Sequence, residues 1–534
     1  MIDYSNKRFL VVDDFSEFRT AVTGMLRMMA VRQVDTAPRG EDAIAMCRNT
    51  RYDVILHDYN LGAGKNGQQV LEELHHAKLL SPHCIFVMCT AESSQAMVMS
   101  ALECEPDAYL TKPFNRASLQ QRLDKLVERK TALKPILDAL EKQDQRAIVS
   151  ACDQVMQEHK RFAPQCQRYR ANALKELGRN NELEKMLQEL AGDRPVPWVI
   201  IALGNLWLDQ GKLPEALELF QNAISQFPML PALFDGLAAV YRAMGEPARA
   251  QEYIEQGIRI SPNSLQRQQT LGKLAKTNGD LDNAVRAYRH AVDLGRNSAF
   301  QNPENHLGLA STLNQQAGDQ APSPKALMEI RKTLGDLGKS WKDDVGLQAR
   351  ATLVEAQTLV KTGNAKEAER MMATASAHLA QMETFFSPEA ALELAQQWSE
   401  LGQKDKAATV LRTCAEMYGD DPKVMASVAE QTDDPAILAA GTQAQELNKQ
   451  GIRLYQKQQF PEALTAFRQA RALQPRNISF ALNTAQSLLR LLLAKADPAL
   501  KDECTDCLEQ VRSMPASDAR HARYLKLRQT VEGL

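Results

Sequence analysis

Phe9-Leu10-Val11-Val12-Asp13-Asp14 is a short apolar run closed by two adjacent carboxylates, and its reading decides the fold of the first quarter of the chain. An unbroken apolar run of this length suits a strand buried on both faces. Four more runs follow: Gln33-Val34-Asp35-Thr36, Val54-Ile55-Leu56-His57, Cys84-Ile85-Phe86-Val87-Met88 and Ala108-Tyr109-Leu110-Thr111. Amphipathic helical stretches separate them, the last beginning near Ala117 with Asn115 placed to cap it. This alternation predicts an α/β doubly wound domain with a parallel five-stranded sheet over residues 1–130.

In an open parallel sheet the ligand site lies beyond the carboxyl ends of the strands. The polar residues at those ends form one set: Asp13 and Asp14 after the first strand, Asp58 after the third, Thr90 after the fourth, and Lys112-Pro113 after the fifth. Three converging carboxylates repel one another unless a cation sits among them, and hard oxygen ligands suit Mg²⁺. With such an ion present one carboxylate can accept a phosphoryl group while Lys112 and Thr90 help neutralise the transferring oxygens. The product is an aspartyl phosphate.

The segment from about Lys7 to Arg129 resembles the CheY-like receiver domain of bacterial response regulators, which has a flavodoxin-like fold. The resemblance implies that Asp58 is the phosphoacceptor and that Mg²⁺ is held by Asp13, Asp14, Asp58 and the backbone carbonyl of Asn60. It also implies that Thr90 is the switch hydroxyl, Tyr109 the aromatic that changes rotamer, Lys112 the lysine that pairs with the phosphoryl group, and Pro113 the residue after a cis peptide. The phosphate would come from a sensor histidine kinase or a phosphotransfer protein. Two features depart from the family pattern. The loop Asn60-Leu61-Gly62-Ala63-Gly64-Lys65-Asn66-Gly67 is one residue longer than usual and lacks the common proline. His57 stands where an apolar residue is usual; strand alternation turns it away from Asp58, either to pack under a helix or to tune the site. The same loop fits Gly-x-Gly-x-x-Gly, but a dinucleotide site wants this pattern after the first strand and an acidic residue about 20 positions on, where Val87 lies.

Beyond Pro135 strand patterns disappear and a period of about 34 residues takes over. Pro197 to Leu230 carries Leu203-Gly204, Trp207, Gly211, Ala216, Phe220, Ala223 and Pro228; the next two units repeat the spacing with Gly245 and Gly279 at the turn. Weaker units surround Gly178, Gly363 and Gly402, and a good copy runs from Gly451 to Pro475. Residues 131–534 therefore resemble an all-α tetratricopeptide-repeat (TPR) solenoid, irregular around 302–324. Such an array implies an unidentified protein or peptide in its groove. The groove positions Ile201, Asn205, Asp235, Gly236 and Gln266 do not reproduce the clamp that holds chaperone carboxyl termini.

Bulk composition narrows the function classes. The formal net charge is -2 over 534 residues, with no basic cluster of the kind that neutralises phosphates, which argues against a nucleic-acid partner. No apolar stretch is long enough to span a bilayer, no secretory signal opens the chain, and the nine cysteines read as buried thiols, so a cytoplasmic protein without a membrane partner is expected. Cys504 and Cys507 form a Cys-x-x-Cys pair that reads as two thiols on a packed helix. No kinase, zinc-enzyme or nucleophile-elbow motif appears, so the expected chemistry is confined to phosphorylation and dephosphorylation of Asp58. The reading is a response regulator without DNA-binding output that controls protein contacts through its repeats. A constitutive scaffold whose receiver is a phosphate sink or kinase-docking piece is the alternative, and a homodimer is left open. The last receiver helix runs toward Pro135 without a flexible tether, and a low-charge helix around Ala96–Leu102 is a candidate partner patch, so mechanical coupling of the two parts is expected.

Overall fold

A computed structural model describes residues 2–62, 64–91, 105–193, 196–380, 387–438, 442–512, 514, 518 and 520–533. The helix expected around Ala96–Leu102 lies outside them. The chain forms two compact units, Met1–Thr312 and Leu313–Leu534, so the expected boundary at 130 falls inside the first unit.

Five parallel strands, β1 (Arg8–Val12), β2 (Gln33–Ala37), β3 (Val54–Asp58), β4 (Ile85–Thr90) and β5 (Ala108–Thr111), lie in the order β2-β1-β3-β4-β5. The register pairs Val12 with both Ala37 and His57, and Asp58 with Cys89, so the carboxyl ends of β1, β3 and β4 are level. Side chains alternate between two cores. Phe9, Val11, Val54, Leu56, Val87 and Leu110 face α1 (Ser16–Met28) and α4 (Arg116–Ala132), whose Leu26, Leu119 and Leu123 cover them. Leu10, Val12, Ile55, Phe86 and Met88 face α2 (Gly40–Asn49) and α3 (Gly67–His76), which contribute Ile44, Val70 and Leu71. Burial on both faces is why β1 and β3 read as unbroken apolar runs. Asn66 and Asn115 cap α3 and α4, each accepting from the backbone three residues on at 2.9 Å.

Leu133 ends α4 and precedes α5 (Lys134–Glu141), with Pro135 in its first turn, where the missing N–H is not needed. The chain then continues as α6 (Gln145–Glu158) and α7 (Ala163–Glu176). Three helix pairs of matching lengths follow, 197–209 with 213–226, 231–243 with 247–260, and 265–277 with 281–295. Their turns place Gly211, Gly245 and Gly279 at φ 76°, 78° and 75°, a conformation that costs an L residue with a side chain but not glycine. Within the first pair, a Cβ on Gly204 would lie 2.3 Å from the ring of Phe220, and one on Gly236 of the next pair 2.6 Å from it. Two glycines on neighbouring helices therefore make the slot that a buried aromatic fills.

The stretch expected to be irregular around 302–324 holds a regular helix, Pro303–Gln316, before the next one starts at Pro324. Its irregularity lies in spacing: the helices 324–340 and 345–361 are 17 residues each, against 13 and 14 in the first two regular pairs and 13 and 15 in the third. In the second unit the core gathers around Trp398, Tyr418, Leu482 and Leu488 and includes Cys504 and Cys507, both fully buried. Burial pushes these thiols up to about 11 and about 12, the behaviour of packed rather than reactive cysteines.

Candidate functional site: an acidic cluster at the strand ends

The level strand ends bring the expected polar residues together. Asp13, Asp14 and Asp58 each offer a carboxylate oxygen, and the three lie within 4.8 Å of one another. Asp13 is fully buried, Asp58 is 8% exposed and Asp14 is open to solvent, so the cluster has a floor and an entrance. Lys112 Nζ reaches into it, donating to Asp13 Oδ2 at 2.5 Å and pairing with Asp58 Oδ1 at 3.0 Å. The Lys112-Pro113 peptide is cis.

Electrostatics follow from this placement. Burial raises the Asp58 carboxyl above the usual carboxylate range, although Lys112 opposes the shift. Burial would lower the Lys112 ammonium, but its bonds to Asp13 and Asp58 raise it on balance. Three carboxylates against one ammonium leave the cluster acidic. A hard divalent ion among oxygen donors fits that excess, and the donor set contains no sulfur or imidazole to favour a softer metal.

Thr90 and Tyr109 lie on the adjoining strands: the Thr90 carbonyl accepts from Lys112 N at 2.8 Å, and Tyr109 is half-buried against the core under α3. Asn60 lies in the loop after β3, its side chain accepting from Gly62 N at 3.3 Å.

His57 is wholly buried and stacks on Phe86 with ring centroids 5.7 Å apart, on the face away from the Asp58 side chain. Its Nδ1 lies 2.6 Å from the Asp58 backbone oxygen; since that oxygen only accepts, Nδ1 carries the proton and donates. Burial depresses the imidazole to about 4, so the ring is neutral near pH 7, and Nε2 is left as a buried acceptor without a partner. A Cβ on Gly67 would come within 2.6 Å of the same Asp58 oxygen, which is why the first residue of α3 is glycine.

Sequence reasoning missed three supports of the site. Lys112 Nζ lies 4.1 Å over the ring of Phe18, which stacks edge-on with Phe114 at 5.6 Å. Arg19 donates to the backbone oxygens of Asp13 and Asp14 at 2.6 and 3.1 Å. Glu41 accepts from Lys65 N at 3.0 Å and so holds the loop after β3. The only available signal for Phe18 and Arg19 was their place on the first turns after Asp14.

In the repeats, the expected groove positions Asp235 and Gln266 line one hollow with Arg242, Arg267 and Thr270. Asp235 is already engaged, accepting from Arg267 Nε at 2.8 and 3.0 Å. Among the described residues no helix is long and apolar enough to cross a membrane.

Known proteins match both parts of the chain. Residues 9–124 match the response regulator receiver domain, and residues 208–274, 266–297 and 448–493 match tetratricopeptide repeats. The chain is 32% identical to chemotaxis protein CheY-3 of Vibrio cholerae over 124 residues, 23% of this chain and 94% of that protein. It is 28% identical to chemotaxis protein CheY of Pseudomonas aeruginosa over 122 residues, 23% of this chain and 97% of that protein. A crystal structure of Vibrio cholerae CheY4 aligns with 26% identity and a TM-score of 0.21, covering 22% of this chain and 98% of that one. Receiver domains of this kind typically bind Mg²⁺ at such an acidic cluster. With its level strand ends, acidic cluster and repeat array, the chain belongs to the response regulators: a receiver domain joined to tetratricopeptide repeats.

Proposed function

We propose that the chain is a two-component response regulator whose receiver, residues 1–130, is phosphorylated on Asp58 and whose repeats, residues 131–534, carry the output as protein contacts rather than DNA binding. The observation that carries this reading is the Asp58 carboxylate at the end of β3, 3.0 Å from Lys112 and clustered with Asp13 and Asp14. Asp13, Asp14, Asp58 and the Asn60 carbonyl are the residues that would hold Mg²⁺, which when bound supplies neutralising charge at the phosphoryl oxygens. An Asp58 carboxylate oxygen forms the new O–P bond as the bond from phosphorus to the donor's imidazole nitrogen or acyl oxygen breaks, and the leaving group departs with that electron pair. Lys112, which pairs with Asp58 at 3.0 Å, takes a phosphoryl oxygen as partner in this reading and in doing so gives up part of its bond to Asp58. Thr90 supplies the switch hydroxyl, and Tyr109 the ring that follows it.

The phosphate donor is a sensor histidine kinase or phosphotransfer protein, and the output partner is a protein or peptide segment lying in the repeat groove. The near-neutral net charge of -2 and the absence of a basic stripe in the sequence support protein over nucleic acid as that partner. Incubation of the full chain with a small acyl phosphate tests the reading by intact mass. Uptake of one phosphoryl group with Mg²⁺, and none with EDTA or in Asp58→Asn, is expected; uptake unaffected by EDTA and by the substitution would overturn it.

A further inference from the structure

The lengthened loop after β3 is occupied by the chain's own repeats. Lys65, five positions after Asn60, donates from Nζ to the backbone oxygen of Asn297 at 2.5 Å and also pairs with Glu73 at 3.1 Å. Asn297 Nδ2 returns a bond to the Gly64 oxygen at 3.2 Å, and Gln69 Nε2 donates to the Leu294 oxygen at 3.4 Å. His76 at the end of α3 meets Phe300 edge to face, with centroids 5.6 Å apart. Leu294 and Gly295 end the helix Leu281–Gly295, whose last carbonyls have no partners within the helix. The receiver therefore helps cap that helix, and the Lys65 ammonium lies where the helix dipole favours a cation.

The other end of this loop borders the acidic cluster. A Cβ on Gly62 would lie 3.7 Å from Asp14 Oδ2, and Glu41 fixes Lys65 from α2. Gly62 and Gly64, at φ 69° and 101°, adopt backbone conformations that side-chain-bearing residues rarely take. A second tie joins the receiver to α5, the first helix after it: Arg51 to Glu141 at 2.9 Å and His83 to Asp138 at 3.0 Å. This base tie is separate from the loop contacts at Leu294–Phe300.

We infer that the β3–α3 loop and α3 form an intramolecular docking surface for the segment Leu294–Phe300, and that loading of the Asp58 site is coupled through it to the third regular repeat pair. The coupling rests on the proposed Mg²⁺ and phosphoryl site; the docking itself does not. Coupling of this kind is reciprocal, so weakening the dock must change the affinity of the site for its ion.

The test uses the full chain, with Lys65→Ala and Phe300→Ala as probes; Phe300 is 43% exposed, so its truncation spares the core. Hydrogen exchange without ligand should quicken at residues 64–69 in both variants relative to wild type, and unchanged exchange there would overturn the docking. Calorimetric titration with Mg²⁺ should give a dissociation constant shifted at least about fivefold in the variants. In wild type, Mg²⁺ with a small acyl phosphate should change exchange at residues 290–302, and Asp58→Asn should lose the acyl-phosphate part. Equal Mg²⁺ affinities together with unchanged exchange at 290–302, in protein labelled on Asp58, would overturn the coupling alone. Absence of both Mg²⁺ binding and label would sink the proposed function, and the coupling with it, while the unliganded comparison still judges the dock.

Discussion

Replacing Lys112 by Met keeps most of the side-chain stem against Phe18 but removes the only cation paired with Asp13 and Asp58 among the described residues. Breaking a buried ion pair by deleting one partner typically costs about 3–5 kcal/mol, because the other charge stays behind without compensation. Here the lower end applies. Asp14 is open to solvent and the Lys112 side chain is 13% exposed, so water shares part of the load. A loss of about 3 kcal/mol corresponds to roughly 150-fold faster exchange of amides that exchange only on opening of the sheet. The amides of β1 and β3 are the ones to follow by hydrogen exchange in EDTA, since they lie between the strands that hold Asp13 and Asp58. Mg²⁺ at about 100 times its dissociation constant returns about 2.7 kcal/mol, so most of the protection should come back. Adding Asp58→Asn in EDTA should also recover part of it, making the two substitutions non-additive. Wild-type exchange rates in Lys112→Met without Mg²⁺ would refute the claim that this lysine balances the cluster.

Other outcomes follow from the same geometry. A carboxyl whose folded pKa is raised by burial contributes stability present below its unfolded value of 3.8 and lost as pH rises through the folded value; in EDTA the Asp58→Asn chain should therefore gain stability relative to wild type above that pH, measured by thermal unfolding across a pH series. Gly204→Ala and Gly236→Ala should each destabilise the first unit by about 1–3 kcal/mol through overpacking on Phe220, with partial rescue by Phe220→Leu in chemical denaturation. Gly211→Ala meets open space and should cost only about 1 kcal/mol, from its positive φ. Cys504 and Cys507 should resist a thiol reagent in the native chain and react only on unfolding; rapid native labelling would contradict their burial.

The strand-end residues were legible because parallel register levels the strands: once β1, β3 and β4 are recognised, Asp13, Asp58 and Thr90 must converge. The repeats were legible because Gly211, Gly245 and Gly279 mark left-handed turns at a fixed period. The pair α5–α6 turns instead at Gln143, φ 56°, and so carries no glycine marker, although Ile136 and Leu137 share a buried core with Ile148 and Cys152. The regular helix Pro303–Gln316 was hidden because its neighbours break the period, and period was the signal being read. The dock between Lys65 and Asn297 could not be foreseen, since it joins residues 232 apart through a side chain and a backbone oxygen, neither of which leaves a pattern. His57 was foreseen as facing away from Asp58, but its bond to the Asp58 backbone oxygen depends on a rotamer that sequence does not specify.

The central claim is that Asp58 is the acceptor, and its most direct measurement is peptide-level mass spectrometry of the full chain after a small acyl phosphate and Mg²⁺, with borohydride trapping of the acyl phosphate. The trapped modification should fall on Asp58 alone and vanish in Asp58→Asn. Modification at Asp13 or Asp14, or none on any peptide of the cluster, would contradict it.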